Sequence, residues 1–417
     1  MEVQIETYGC AMNQADSEMM AGLLQENGHR VVESADMVIV NTCIVKTPTE
    51  NKILKKLNEL KKSGKKVIIT GCMPASTPEV IEKFPGFSFI GTNIFDIKDA
   101  VDAATKNRRF VKISDPEEKV CVPRVRKNPI VEIVPISEGC LGNCSYCQVK
   151  FARGNLKSYE KEKILRQVRH AVADGVKEVW LTSQDSGAYG LDINENLPFL
   201  LNSVSEINGD FKIRVGMMNP NHVLDFLDEL VEEYKNEKVY KFLHLPVQSG
   251  DNDVLKHMNR KYTVNDFKKI VNKFRRNFTC TLSTDVIVGY PAEDKAAFQN
   301  TIKLLKEAKP DVLNISRYWP RPGTSASRLK QYPGRLTKER SRIVSRLFEK
   351  IGLENNKKWI GWKGHALVSE KNNGSYTARN FAYKPIILKT KKNLLGKSVD
   401  VEITDATHYD LRGCLLC

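Results

Sequence analysis

The chain has 417 residues, 41% hydrophobic and 28% charged, with 25 Gly and 17 Pro. That is too apolar for a disordered chain, too poor in Gly and Pro for collagen or a low-complexity linker, and long enough for about three domains. The net charge of +15 is uneven, because residues 317–417 hold 21 Lys and Arg against 8 Asp and Glu. Clustered cations of this kind suit a polyanionic partner, the alternative being a merely well-solvated surface. No apolar run reaches the ~18–20 residues that cross a bilayer. The opening MEVQIETYGC carries an acidic residue and no apolar core, so a cytoplasmic protein without a membrane partner is expected.

Residues 1–110 alternate strand and helix patterns. Period-two alternation over 3–8 predicts a strand, and Met19, Met20, Leu23 and Leu24 form the apolar stripe of a helix over 16–26. Residues 37–40 and 67–69 read as short buried strands. A helix over 49–62 carries Ile53, Leu54, Leu57 and Leu60, and a shorter one is expected over 77–84. Alternating βα units imply a parallel sheet with helices on both faces. Cys10, Cys43 and Cys72 each then follow the carboxyl end of a strand, the edge where open sheets assemble ligand sites. Taken singly, each could be a small buried core residue. Together they could meet as one cluster site. Ten cysteines with no sign of secretion speak for metal or redox chemistry rather than a disulfide framework. Residues 111–130, with Pro116, Pro123 and Pro129 and little periodicity, read as a linker.

A strand over 131–137 runs into Glu138-Gly139-Cys140-Leu141-Gly142-Asn143-Cys144-Ser145-Tyr146-Cys147. Zinc sites normally bring four ligands, whereas three thiolates on a cubane leave one iron open to a substrate or cofactor. This C-x3-C-x2-C loop resembles that of the radical S-adenosylmethionine (SAM) superfamily. That likeness implies a SAM chelated at the open iron and cleaved to a 5′-deoxyadenosyl radical. An electron-transfer cluster or a truncated zinc knuckle is the alternative. Further strands are expected over 178–182, 212–216, 242–246, 281–288 and 312–316, with helices between them, such as 161–173. That makes about six βα units, fewer than a closed barrel of eight. Gln184, Asp185, Arg214, Gln248 and Asp285 sit at or near strand ends and become candidates to grip SAM, although any one could be a strand-end cap. None of the seven histidines makes a ligand pair, and His244, at a strand end, is the only one to watch.

From 336 a long helix is expected, with Ile343, Val344, Leu347, Phe348 and Ile351 inward and Lys338, Arg342, Arg346 and Lys350 on another face. Residues 357–417 alternate short strands and turns, which suggests a small RNA-binding β-barrel. No chemistry is assigned to Cys121, Cys280, Cys414 or Cys417.

Taken together, the chain resembles the methylthiotransferase family of radical-SAM enzymes along essentially its whole length. The resemblance rests on Thr7-Tyr8-Gly9-Cys10 with Asn13 and Asp16-Ser17-Glu18, then Asn41-Thr42-Cys43 and Gly71-Cys72-Met73. It continues through the central cysteine loop, Pro246-Val247-Gln248-Ser249-Gly250, Thr284-Asp285-Val286-Ile287-Val288-Gly289 and Pro320-Arg321-Pro322-Gly323-Thr324. Residues 396–403 are similar to a TRAM domain. The resemblance implies an α/β chain of four parts. These are an N-terminal domain over 1–110 with an auxiliary cluster, a linker over 111–130, a partial (β/α)6 radical-SAM core over 131–355 and a TRAM-like barrel over 356–417.

The family further implies two [4Fe-4S] clusters, on Cys10/Cys43/Cys72 and Cys140/Cys144/Cys147, and two uses of SAM. One methylates a sulfur held at the first cluster, and the other generates the radical at the second. Residues 148–154 and 183–190 most resemble the archaeal and eukaryotic branch, which acts on N6-threonylcarbamoyladenosine at position 37 of tRNA. The isopentenyladenosine branch and the ribosomal-protein branch are the alternatives, as is an RNA-binding protein with structural clusters. A tRNA anticodon arm, an electron donor and a sulfur source are the implied partners, with a monomer favoured.

Overall fold

The computed structural model describes residues 1–45 and 47–416; Cys417 lies outside the described residues. Six parallel strands form the first sheet in the order Arg30–Val31, Glu2–Thr7, Met37–Thr42, Lys66–Gly71, Ser88–Ile90 and Val111–Lys112. The three strands legible in the sequence are its centre. The other three have two or three residues each, too short to leave a period. The strand order reverses between Glu2–Thr7 and Met37–Thr42, so a crevice opens there at the carboxyl edge, the switch point at which open α/β sheets bind ligands.

The helix Ala11–Glu26 is buried on nearly every side. Its Ala15, Met19, Met20, Leu23 and Leu24 share one apolar core with Val131 and Ile133, which belong to the first strand of the next lobe. The expected linker over 111–130 is therefore more than a spacer. It begins with the last strand of the sheet, and it buries Lys119 completely.

Six more parallel strands follow in chain order: Val131–Pro135, Glu178–Thr182 and Lys212–Val215 in one sheet, then Phe242–His244, Thr281–Val288 and Val312–Arg317 in another. A parallel bridge between Ile213 and Val239 links the two halves, giving the partial six-unit barrel expected. Its outer helices form for legible reasons. Val264–Asn277, for example, starts on a capping box between Thr263 and Asp266 and buries Phe267, Ile270, Val271 and Phe274 at helical spacing.

The helix Gly334–Lys357 buries Val344, Phe348 and Ile351 as expected. Ile343 is exposed instead, because the inner stripe is narrower than the apolar run in the sequence. The chain ends in a closed barrel of Lys363–Asn372, Ser375–Arg379, Pro385–Leu388, Leu411–Leu415 and Ser398–Ala406. Two of these, Ser375–Arg379 and Leu411–Leu415, were not evident in the sequence.

Candidate active site

Cys10, Cys43 and Cys72 all emerge at the carboxyl edge of the first sheet, just after Glu2–Thr7, Met37–Thr42 and Lys66–Gly71. They meet around Asn13. The Sγ atoms of Cys10 and Cys72 lie 3.8 and 4.0 Å from its Oδ1. Its Nδ2 donates to Tyr8 O at 2.9 Å and Thr42 O at 2.7 Å, tying two of the cysteine loops together. Gly9 is needed for that approach: its φ is +112°, and a Cβ there would come within 2.8 Å of Cys43 Sγ.

The second triad sits on the loop after Val131–Pro135 and the short strand Ser137–Glu138. Gly142 N–H donates to Cys140 Sγ at 3.2 Å, Val149 N–H to Cys147 Sγ at 3.4 Å and Arg260 Nη1 to Cys144 Sγ at 3.2 Å. Each of the three sulfurs thus has a donor that would stabilise its thiolate once a metal displaces the proton. At the first triad, the N–H groups of Ile44 and Val45 turn toward Cys43 in the same way. Burial pushes the Cys72 and Cys147 thiols up to about 12 and the Cys140 thiol up to about 11, so the free thiols hold protons that a bound metal would displace.

Neither triad closes on a single point. Among the described residues, no three His, Cys, Asp or Glu side chains converge tightly enough to hold one metal ion. A closed zinc site would call for four ligands, and each triad offers three thiols. The donor set, three thiols at each site, is one that a [4Fe-4S] cluster would take.

The two triads are carried by elements in contact. The helix that begins at Cys72 (Cys72–Ser76) packs against the helix after Cys147 (Val149–Arg153). Thr92 Oγ1 donates to Ala152 O at 2.9 Å, and Gln148 Nε2 donates to Pro322 O at 2.7 Å. Arg321 pairs with Glu50 of the first lobe.

Asp185 lies close enough to Cys140 to raise its pKa. It accepts from Gly187 N–H at 3.1 Å and Asn219 N–H at 2.9 Å, so part of its capacity goes to capping a turn. Asn219 also meets Arg260, which completes a chain from Asp185 to Cys144. Gln184 Oε1 is buried without a partner among the described residues. Gln248, at φ +65°, donates its N–H to Asp285 O at 2.8 Å, and Asp285 Oδ2 pairs with His244 Nε2 at 2.9 Å. Tyr262 joins the two groups, accepting from Arg260 Nε at 3.0 Å and donating to Pro246 O and Val247 O.

Arg214 does not join them. Its guanidinium lies 4.9, 5.2 and 5.4 Å from the rings of Trp180, Phe242 and Tyr383. Phe242 starts its strand and Tyr383 belongs to the C-terminal barrel, so Arg214 points at the barrel floor rather than the mouth. The expectation of Arg214 at the SAM site is corrected accordingly. Its place in a strand could not reveal which end the side chain favours.

Residues 134–305 match the radical SAM superfamily, and residues 2–91 match the uncharacterized protein family UPF0004. A probable threonylcarbamoyladenosine tRNA methylthiotransferase of Pyrococcus abyssi is 47% identical, over 99% of this chain and 99% of its own. The human threonylcarbamoyladenosine tRNA methylthiotransferase is 35% identical, over 99% of this chain and 73% of its own. The chain belongs to the threonylcarbamoyladenosine tRNA methylthiotransferase family. It is a radical-SAM methylthiotransferase.

Among solved structures, a radical SAM methyltransferase from Kitasatospora setae shares the fold, with a TM-score of 0.57 at 14% identity over 78% of this chain and 77% of that one. Several residues that the fold gathers around the two cysteine loops carried no assignment in the sequence: Lys119, Glu138, Arg153, Asn219, Arg260 and Tyr262. Arg153 had the best available signal, a cation close after the cysteine loop with a glycine behind it. The others meet their partners only through the fold.

Proposed function

We propose that this chain adds a methylthio group to C2 of N6-threonylcarbamoyladenosine at position 37 of tRNA. The observation that carries the reading is the pair of thiol triads on contacting elements, the second with a donor aimed at each of its sulfurs. Relatives named for this activity, spanning nearly the whole chain at 47% and 35% identity, support the choice of nucleoside. The C2 hydrogen of an adenine is not acidic enough for a side-chain base, which calls for a radical rather than general base catalysis.

A [4Fe-4S] cluster with SAM bound supplies that radical chemistry. Cys140, Cys144 and Cys147 would hold one cluster, and Cys10, Cys43 and Cys72 the other. Gly142, Val149 and Arg260 would stabilise the sulfur charge of the first. Gln184, Asp185, Gln248 and Asp285 would orient SAM beside it. The close contact between the two lobes would exclude water from the space between the triads.

The exposed row Lys338, Arg342, Arg346 and Lys350, with the C-terminal barrel, would hold the anticodon arm through its phosphates. The division at 1–110, 111–130, 131–355 and 356–417 is proposed as functional as well as structural. So are a cytoplasmic setting, an external electron donor and a sulfur source, with the chain acting as a monomer.

Cys144→Ala should abolish both 5′-deoxyadenosine and methylthiolated nucleoside in an anaerobic assay. Undiminished product would refute the assignment. Parallel incubation with tRNA bearing threonylcarbamoyladenosine or isopentenyladenosine, read by nucleoside mass spectrometry, tests the substrate. Modification of the isopentenyl form alone would transfer the chain to the rival activity.

A further inference from the structure

Four buried charges lie between the two thiol triads. Asp16, on the helix that follows Cys10, takes Lys119 Nζ at 2.8 Å on one carboxylate oxygen and Arg153 Nη2 at 2.8 Å on the other. Glu138, just ahead of Cys140, meets the same two cations, Arg153 Nη1 at 2.5 Å and Lys119 Nζ at 3.2 Å. The four therefore close a ring, and every side chain in it is 3% exposed or less. Arg153 Nη2 also donates to Asn13 Oδ1 at 2.9 Å, the atom that faces Cys10 and Cys72. Its guanidinium reaches the thiol of Cys72 itself.

A ring like this is a poor way to gain stability. Desolvating four charges cancels most of the attraction between them, and apolar replacements are often at least as stable. What a buried ring does offer is geometry. Apolar surfaces can slide on one another, but a guanidinium fork held by two carboxylates and an amide has one position. The ring spans three stretches of chain: the helix behind Cys10, the segment between the lobes, and both ends of the loop bearing Cys140, Cys144 and Cys147.

We propose that Asp16, Lys119, Glu138 and Arg153 form a registry ring that sets the separation and orientation of the two triads. Arg153 is its positioning residue, fixing the loop of one triad against the sulfurs of the other. The inference rests on the two-cluster reading above. Group transfer between sites depends steeply on alignment, and a shift near 1 Å can cost on the order of 100-fold in rate.

Arg153→Lys tests this, because it keeps the charge balance and loses the fork. The variant should retain parental iron and still form 5′-deoxyadenosine, while methylthiolated nucleoside falls on the order of 100-fold. The magnetic coupling between the two reduced clusters, read by pulsed electron paramagnetic resonance, should change. Asp16→Asn combined with Lys119→Gln removes one charge of each sign on the far side of the ring and should produce the same uncoupling. Parental product yield and cluster coupling in either variant would overturn the proposal. Iron loss in both would reduce the ring to a scaffold and overturn it too. Cys43→Ala tests the underlying reading separately: it should remove about half the iron, and parental iron content would end the two-cluster reading whatever the ring variants do.

Discussion

Glu18 lies at the seam between the first helix and the segment that leads out of the sheet. Its Oε1 accepts from Lys127 N–H at 3.1 Å and Gln14 Nε2 at 3.5 Å, while its Oε2 is buried with no partner among the described residues. Burial pushes its carboxyl up to about 7 from an ordinary 4.5, against the opposing pull of the Lys127 amide and Arg124. A raised carboxyl contributes stability that is whole below its unfolded pKa and lost as pH climbs through the folded one. Glu18→Gln should therefore change little near pH 4.5 and stabilise the chain above pH 7, by ~3 kcal/mol at most. Paired melting curves on either side of that window would check it, and a pH-independent difference would count against it. Asp16, two residues away, goes the other way: burial opposes ionisation, but Lys119 and Arg153 together hold its carboxyl below the usual range. Neighbouring carboxylates on one helix thus differ because one has two cations and the other does not.

Two short stretches decide how the larger elements meet. Gly139 starts the loop that carries the second triad, at φ +74°, and a Cβ there would lie 1.9 Å from Asn155 O. Gly139→Ala cannot keep the Ser137–Glu138 and Lys157–Ser158 pairing as it stands, so it should lose iron from that triad; parental iron after reconstitution would contradict this. At the opposite end of the barrel, the turn over 380–383 pushes Tyr383 against its floor. The Tyr383 hydroxyl donates to buried Glu178 at 2.9 Å, and its ring packs 4.8 Å from Tyr240 and 5.1 Å from Phe242. Arg214 is held in the same cluster, which explains why it is not at the mouth. Tyr383→Ala should cost roughly 3–5 kcal/mol, the range for emptying a buried aromatic site. Chemical denaturation measures that directly, and a cost near zero would mean that the barrel floor closes without the plug.

At the scale of the molecule, the C-terminal barrel is docked rather than tethered. Lys384 Nζ pairs with Asp311 at 2.7 Å and Asn356 Oδ1 at 2.9 Å, and Asn128 Nδ2 donates to Ser369 O at 2.7 Å. Deletion of 357–417 would remove whatever RNA contacts the barrel makes. The packing at the barrel floor makes it a loss of stability as well, so the deletion is a poor probe of RNA binding. Reversing Lys338, Arg342, Arg346 and Lys350 to Glu is the better one, since all four are exposed. Binding should weaken, and the slope of log K against log salt should flatten by ~0.7–0.9 for each phosphate no longer neutralised. Unchanged affinity and slope would remove this face from the RNA surface.

Read from the sequence alone, the chain already declared its order of βα units, the placing of three cysteines behind three strands and the C-x3-C-x2-C loop. These are local or periodic features, written in spacing that needs no tertiary partner. The short outer strands escaped because two or three residues carry no period. The exposed side of Ile343, the inward course of Lys119 and the floorward turn of Arg214 escaped for a different reason. Each depends on which remote surface a side chain meets, and strand spacing does not encode that. Only the folded chain brings Asn13, Arg153 and Cys72 together from three distant stretches, because strand order and helix packing, not sequence distance, decide which buried charges become neighbours.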